Sequence, residues 1–206
     1  MIILKKKLSL ILFLIVISIV FDSCTGMNKK HFDAVSYLGD IKSYTSDMVI
    51  DVKNRRQVIE YNVKAFYSVN EGYRVEIGKD SVYIYNRDKV YISDVENGSF
   101  YVMNKDEDNV FRYSFIQEFL NIVYTDEKVD VSYVKENNKS YQVISAVLPG
   151  SNRNMYRGTL YFLVDDKRPE KAIVYNTKDE ETIEISYKNF KANVEVDKKL
   201  FKSVNK

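Results

Sequence analysis

Between Tyr44 and Met103 apolar residues recur at every second position, and this regularity constrains the chain more than any other. Ile59, Tyr61, Val63, Ala65, Tyr67 and Val69 fall on one side of an extended run, and Glu60, Asn62, Lys64 and Ser68 fall on the other. Met48, Ile50 and Val52 interleave with Val49, Asp51 and Lys53 in the same way. Side chains alternate across a pleated strand, so a period of two means a sheet with one face turned to a core. The interruptions are short and rich in Gly, Asn and Asp: Asn70 to Gly72, Gly78 to Asp80, Asn86 to Asp88 and Glu96 to Gly98. Turns of that length join antiparallel neighbours. The expectation is a mainly β (α+β) domain built on a large curved antiparallel sheet, an open half-barrel.

Two stretches depart from that period. His31 to Ser43 places Phe32, Val35, Leu38 and Ile41 at three-residue steps, which predicts a short N-terminal helix. Val110 to Tyr124 places Phe111, Phe115, Ile116, Phe119, Leu120 and Val123 on one stripe, which predicts a second helix. That stripe is too apolar for water and is expected to pack over the concave face of the sheet. Alternation resumes at Val129 and runs, broken by turns, to Tyr187. Val82, Ile84, Val90 and Ile92 alternate with Tyr83, Tyr85 and Tyr91, so these strands are apolar on both faces and need cover on both. Phe190, Val194, Val196, Leu200 and Phe201 form an apolar tail, expected to close an edge of the sheet.

The N-terminus reads as an address. Lys5, Lys6 and Lys7 precede the apolar run Leu8 to Phe21. That run is shorter than the roughly 20 residues a spanning helix needs and matches a secretory signal. It ends at Ser23-Cys24, and Cys24 is the only cysteine of the chain. A small residue before a lone Cys resembles the bacterial lipobox, although Phe21 and Asp22 depart from its usual pattern. The resemblance implies a signal peptide over 1–23, acylated Cys24 (palmitate-type chains) with a tether over 24–30, and one domain over 31–206. The expected location is the outer face of a membrane. An uncleaved anchor, or a cleaved signal with Cys24 a bystander, are the other readings of this segment.

Charge and composition exclude several functions. The chain carries 31 basic and 29 acidic residues, and removal of the signal leaves the two equal. Nothing draws it to a phosphate backbone, and no nucleic acid is expected. Seven glycines supply no phosphate loop or Gly-x-Ser-x-Gly elbow. One His and one Cys cannot assemble the usual zinc or Cys-His sites. The reading is of a non-catalytic protein without cofactor or metal. The loop after Pro149, holding Arg153, Met155, Tyr156 and Arg157, offers Arg and Tyr anchors of the kind that dominate protein interfaces. Arg168, in the turn from Asp165 to Pro169, joins them as a candidate partner-binding residue. These segments equally suit solvated turns.

The series of lipobox-like start, short helix, meander, apolar helix, further strands with an Asp-x-x-x-Pro turn (Asp165 to Pro169) and closing Leu200-Phe201 resembles the lipoprotein-localisation fold of LolA and LolB. With its Lys-, Asn- and Tyr-rich composition it is similar to the GerS-type germination lipoproteins of clostridial spores. That resemblance implies a membrane-anchored partner protein of sporulating bacteria, on the outer face of the cell or forespore membrane in a Gram-positive spore former. Its expected partner is a cortex peptidoglycan amidase of the CwlD type (an N-acetylmuramoyl-L-alanine amidase), which it would bind and activate for cortex modification and germination. The other function that stands is a lipid or lipoprotein carrier or acceptor using the interior of the half-barrel. An exposed sheet edge also allows a homodimer by strand exchange.

Overall fold

The structure, a computed structural model, describes residues 33–126 and 128–202. The signal, Cys24, the tether and His31 lie outside the described residues.

Six strands follow one another in the first half: β1 (Ser43–Lys53), β2 (Val58–Ser68), β3 (Gly72–Ile77), β4 (Ser81–Asn86), β5 (Lys89–Asp94) and β6 (Ser99–Asn104). Five more make the second half: β7 (Asp130–Glu136), β8 (Lys139–Val147), β9 (Arg157–Leu163), β10 (Arg168–Tyr175) and β11 (Glu181–Ala192). Among the described residues two α-helices accompany them, α1 (Ala34–Gly39) and α2 (Ile116–Thr125). All eleven strands form one antiparallel sheet in the order β6-β5-β4-β3-β2-β1-β11-β10-β9-β8-β7. Each half is a meander, and the two are joined where β1 pairs with β11, Ile50 opposite Ile185 and Val52 opposite Ile183. The mainly β, open antiparallel architecture expected from the alternation is the one observed.

The hairpins follow the turn chemistry. Glu136 pairs with Lys139, and Asn137 and Asn138 between them have φ of 49° and 63°. A two-residue turn with both φ positive matches the twist of the strands it joins, and Asn tolerates that conformation better than most residues. Pro169, inside β10, coincides with an irregularity of the β9–β10 register. A residue without an N–H is accommodated at such a site rather than in a regular ladder.

One face of the sheet carries the core. Tyr44, Met48 and Ile50 of β1, Val63, Ala65 and Tyr67 of β2, Tyr85 of β4, Ile144 of β8, Leu160 and Phe162 of β9, and Ile185 and Tyr187 of β11 are buried. Both helices lie on that face. The Ala34 N–H donates to Gln142 Oε1 at 2.6 Å, which seats α1 on β8, and the Phe115 ring lies 4.3 Å from Tyr73 and 5.1 Å from Tyr85. One turn later, Phe119 packs on Gly158 of β9, where a Cβ would come within 3.0 Å of its ring. Six inter-strand steps separate β4 from β9, about 29 Å in a flat sheet. Phe115 and Phe119 are only about 6 Å apart along a helix. One helix touches both arms because the sheet curls around it.

Both helical expectations need correction in extent. The first helix spans only Ala34–Gly39, capped by Asp33, whose carboxylate accepts from the N–H groups of Val35 and Ser36. Ile41 is buried beyond the helix end, and Ala34 and Leu38 make the inward face. The second element is a 3-10 turn, Arg112–Ser114, followed by α2. Asp108 Oδ1 accepts from the N–H groups of Val110 and Phe111 at 3.0 Å each, and Ser114 Oγ donates to the Phe111 carbonyl at 2.6 Å. These side chains take up backbone groups that a continuous helix would pair, so the helix starts after Phe115.

The tail closes no edge. Arg74 of β3 donates through Nη1 to the Leu200 carbonyl at 2.7 Å, and Phe201 is buried. Arg74 stands opposite Phe66 and Ile84 on the face away from the helices. The tail thus supplies outer cover for strands that are apolar on both sides.

Candidate functional site

Strand order brings three hairpin ends together. β1 neighbours β11, β10 neighbours both β11 and β9, and β8 neighbours β9. The β1–β2 turn, the β10–β11 turn and the β8–β9 loop therefore lie side by side at one end of the sheet. They enclose a cleft of about 970 Å³, floored by Val52, Ile183 and Met155.

Each wall is fixed by hydrogen bonds. Asn54 Oδ1 accepts from the N–H groups of Arg56 and Gln57, at 2.9 and 3.1 Å, and this Asx turn sets the course of Arg55 and Arg56. Asn176 Oδ1 accepts from the N–H groups of Lys178 and Glu180, at 2.8 and 3.0 Å. Across the gap the Thr177 N–H donates to the Arg153 carbonyl at 3.0 Å, and the Tyr156 N–H donates to the Tyr175 carbonyl at 2.7 Å. Thr182 Oγ1 donates to the Asn154 carbonyl at 2.7 Å. The long loop is tied to the neighbouring turn along much of its length.

The electrostatics of the cleft are one-sided. Its two lining carboxylates are already engaged. Glu181 lies 2.9 Å from Lys53 Nζ, and Glu180 accepts from Asn176 Nδ2 at 2.7 Å. Lys53 reaches Glu184 as well, at 2.6 Å, and hydrogen bonding to Glu184 leads the causes that hold its ammonium above the usual lysine range. Arg55, Arg56, Arg153 and Lys178 also line the cleft, are exposed, and form no ion pair with the described residues.

The candidates picked out by sequence separate here. Arg153 lines the cleft and Tyr156 stands next to it, 46% exposed. Met155 is 7% exposed and forms part of the floor. Arg157 stacks 4.1 Å from the Tyr175 ring and pairs with Asp179 at 2.9 Å. The Tyr175 hydroxyl is pushed up to about 12, mainly by burial. Arg168 begins β10 at the far end of the β9–β10 hairpin, about 20 Å along the strands, paired with Asp166 and Glu170 at 3.3 Å each. The structure does not bring Arg168 to the others. Arg55, Arg56 and Lys178 escape a reading of the sequence; the Asn54 and Asn176 turn signals are the trace they leave.

Two further surfaces matter. The face beneath α2 is packed with rings, Tyr44 to Tyr67 at 5.3 Å and Tyr67 to Tyr73 at 5.0 Å, and the Tyr187 hydroxyl donates to the Ser114 carbonyl at 2.9 Å. Tyr85 donates to Asp108, and burial leads the causes that push its hydroxyl well above the usual range. At the sheet's ends, β6 and β7 each have only one neighbour among the described residues. Phe100, Tyr101 and Val102 on β6 are 43%, 55% and 51% exposed.

The family model for sporulation protein YdcC-like matches residues 4–201. The chain belongs to the YdcC-like sporulation protein family. Solved structures that share its fold are distant in sequence. An uncharacterized conserved protein from Thermus thermophilus is similar at 11% identity, with a TM-score of 0.54 over 82% of this chain and 90% of that one. The complex of the CwlD amidase from Clostridioides difficile with the GerS lipoprotein contains a chain similar at 19% identity and a TM-score of 0.48, over 76% and 89% of the two chains. A LolA superfamily protein from Nitrosomonas europaea is similar at 9% identity and a TM-score of 0.42, over 82% and 96%. No curated protein matches the sequence.

Proposed function

We propose that this YdcC-like protein is an exported, lipid-anchored and non-catalytic factor that binds and activates a cortex peptidoglycan amidase during sporulation. The observation that carries the sporulation role is the family match over nearly the whole chain. A binding role is supported by the β6 edge, where a ladder side without a neighbour among the described residues coincides with three exposed apolar side chains. Such an edge accepts a partner strand by main-chain pairing, with alternate side chains giving specificity. Cys24 carries the anchor in this reading. The CwlD-type amidase, which GerS accompanies in its solved complex, is the enzyme to assay.

The carrier reading needs room on the concave face. There the rings of Tyr44, Tyr67, Tyr73, Tyr85 and Phe115 pack against one another, which favours the partner-protein reading. The deciding experiment measures amidase activity on peptidoglycan with and without the protein. Stimulation with a stable complex on a sizing column is expected. An amidase equally active alone, with no complex, removes the proposal and directs attention to bound acyl chains.

A further inference from the structure

We infer that the cleft at the β1–β2, β8–β9 and β10–β11 ends is a binding site for the carboxylate-bearing strands of cell-wall peptidoglycan. Four cations from three separate turns, Arg55, Arg56, Arg153 and Lys178, meet at one concavity. Of the two carboxylates lining the same cleft, Glu181 is ion-paired with Lys53, and Glu180, which accepts only from the neutral Asn176 amide, keeps its charge. Four cations facing one uncompensated carboxylate leave positive charge available to an external anion.

The remaining lining fits a glycan better than a lipid surface. Asn54 spends its side-chain oxygen on its own turn, and Asn152 does the same toward the Asn154 N–H at 3.0 Å. Their amide groups remain as donors, suited to hydroxyls, acetamido carbonyls and carboxylates. Arginine forks match carboxylates in two-point geometry. Met155, Val52 and Ile183 give an apolar floor for sugar faces and methyl groups. The volume of about 970 Å³ lies within the range of concave ligand sites, whereas a bilayer offers a broad plane that reaches only the rim.

The inference rests on the cell-wall setting of the proposed function, and its test is separate from the amidase assay. The full chain, purified in detergent, is sedimented with insoluble peptidoglycan sacculi, with sacculi whose carboxylates have been amidated, and with vesicles containing anionic phosphatidylglycerol. Wild type is expected to sediment with native sacculi. The triple variant Arg55→Gln, Arg56→Gln, Lys178→Gln is expected to bind them about tenfold or more weakly. Amidation of the sacculi should weaken wild type to a similar degree, and binding should fall with added salt. All three residues are exposed, so an unchanged melting curve for the variant is the control for folding. Failure of wild type to sediment, or equal sedimentation of the triple variant, overturns the inference. So does preferential binding to the vesicles, which would identify a membrane-facing site instead. Loss of sacculus binding by the triple variant, with its amidase stimulation intact on soluble muropeptides, supports the inference and leaves the amidase reading untouched.

Discussion

Gly158 illustrates how much one residue decides here. It sits on β9 beneath α2, and an added Cβ would lie 3.0 Å from Phe119 Cε2 and 3.1 Å from Leu148 Cδ2. Phe119 and Leu148 are themselves buried, at 6% and 3% exposure, so neither ring nor methyl has open space to retreat into. Gly158→Ala is expected to lower unfolding free energy by about 1–3 kcal/mol through overpacking, read as a shift in urea midpoint with unchanged slope. Unaltered or raised stability would show that the helix rides higher on the sheet. Nothing in the sequence hints at this role, because a glycine in a strand signals close approach without saying to what. The extent of the α2 stripe is equally hidden. Phe111, Phe115 and Phe119 share a helical period, yet Asp108 and Ser114 bond to the backbone of Phe111 and break the helix before Phe115. Periodicity reports which face is apolar; it is silent on which local hydrogen bonds compete with the helix.

Elements show a different balance. The strands are legible one by one, since period two and Asn- or Gly-containing turns act within a few residues. The cleft is not, because it depends on β1 lying beside β11, a pairing between residues roughly 130 to 150 apart in sequence. Arg153 draws notice as part of an unusually long loop, whereas Arg55 and Lys178 look like ordinary turn charges. Edges test the protein-binding reading at this scale. Tyr101 and Val102 stand on opposite faces of β6, and both are more than half exposed. The double variant Tyr101→Lys, Val102→Lys should leave stability within about 0.5 kcal/mol, as exposed substitutions do, while reducing complex formation with the amidase. Charges along an edge discourage strand addition. A homodimer formed through the same edges by strand exchange would weaken in parallel, measurable by sedimentation equilibrium. Full amidase binding by this variant would move the contact away from β6.

At the scale of the whole molecule, the buried tyrosines tie protonation to the fold. Tyr44 on β1, Tyr85 on β4 and Tyr187 on β11 are 0%, 1% and 4% exposed, and burial is the leading cause raising each hydroxyl above its usual range. They come from both halves of the sheet and face the same core, so none can ionise without water reaching the centre. A group whose folded value lies above its unfolded value, about 10 for tyrosine, contributes stability that is complete below about pH 10. That contribution is lost as pH rises through the folded value. Neutral pH is therefore predicted to leave these residues silent, with stability declining only above about pH 10. Ionisation followed by ultraviolet absorbance should divide into an early part and a delayed part. The delayed part should coincide with loss of the near-ultraviolet circular dichroism of the packed rings. Phenolate formation completed while that signal persists would mean that the aromatic interior admits solvent in the native state. Such an interior would have the access that a lipid carrier requires, and the partner-protein reading would lose its advantage.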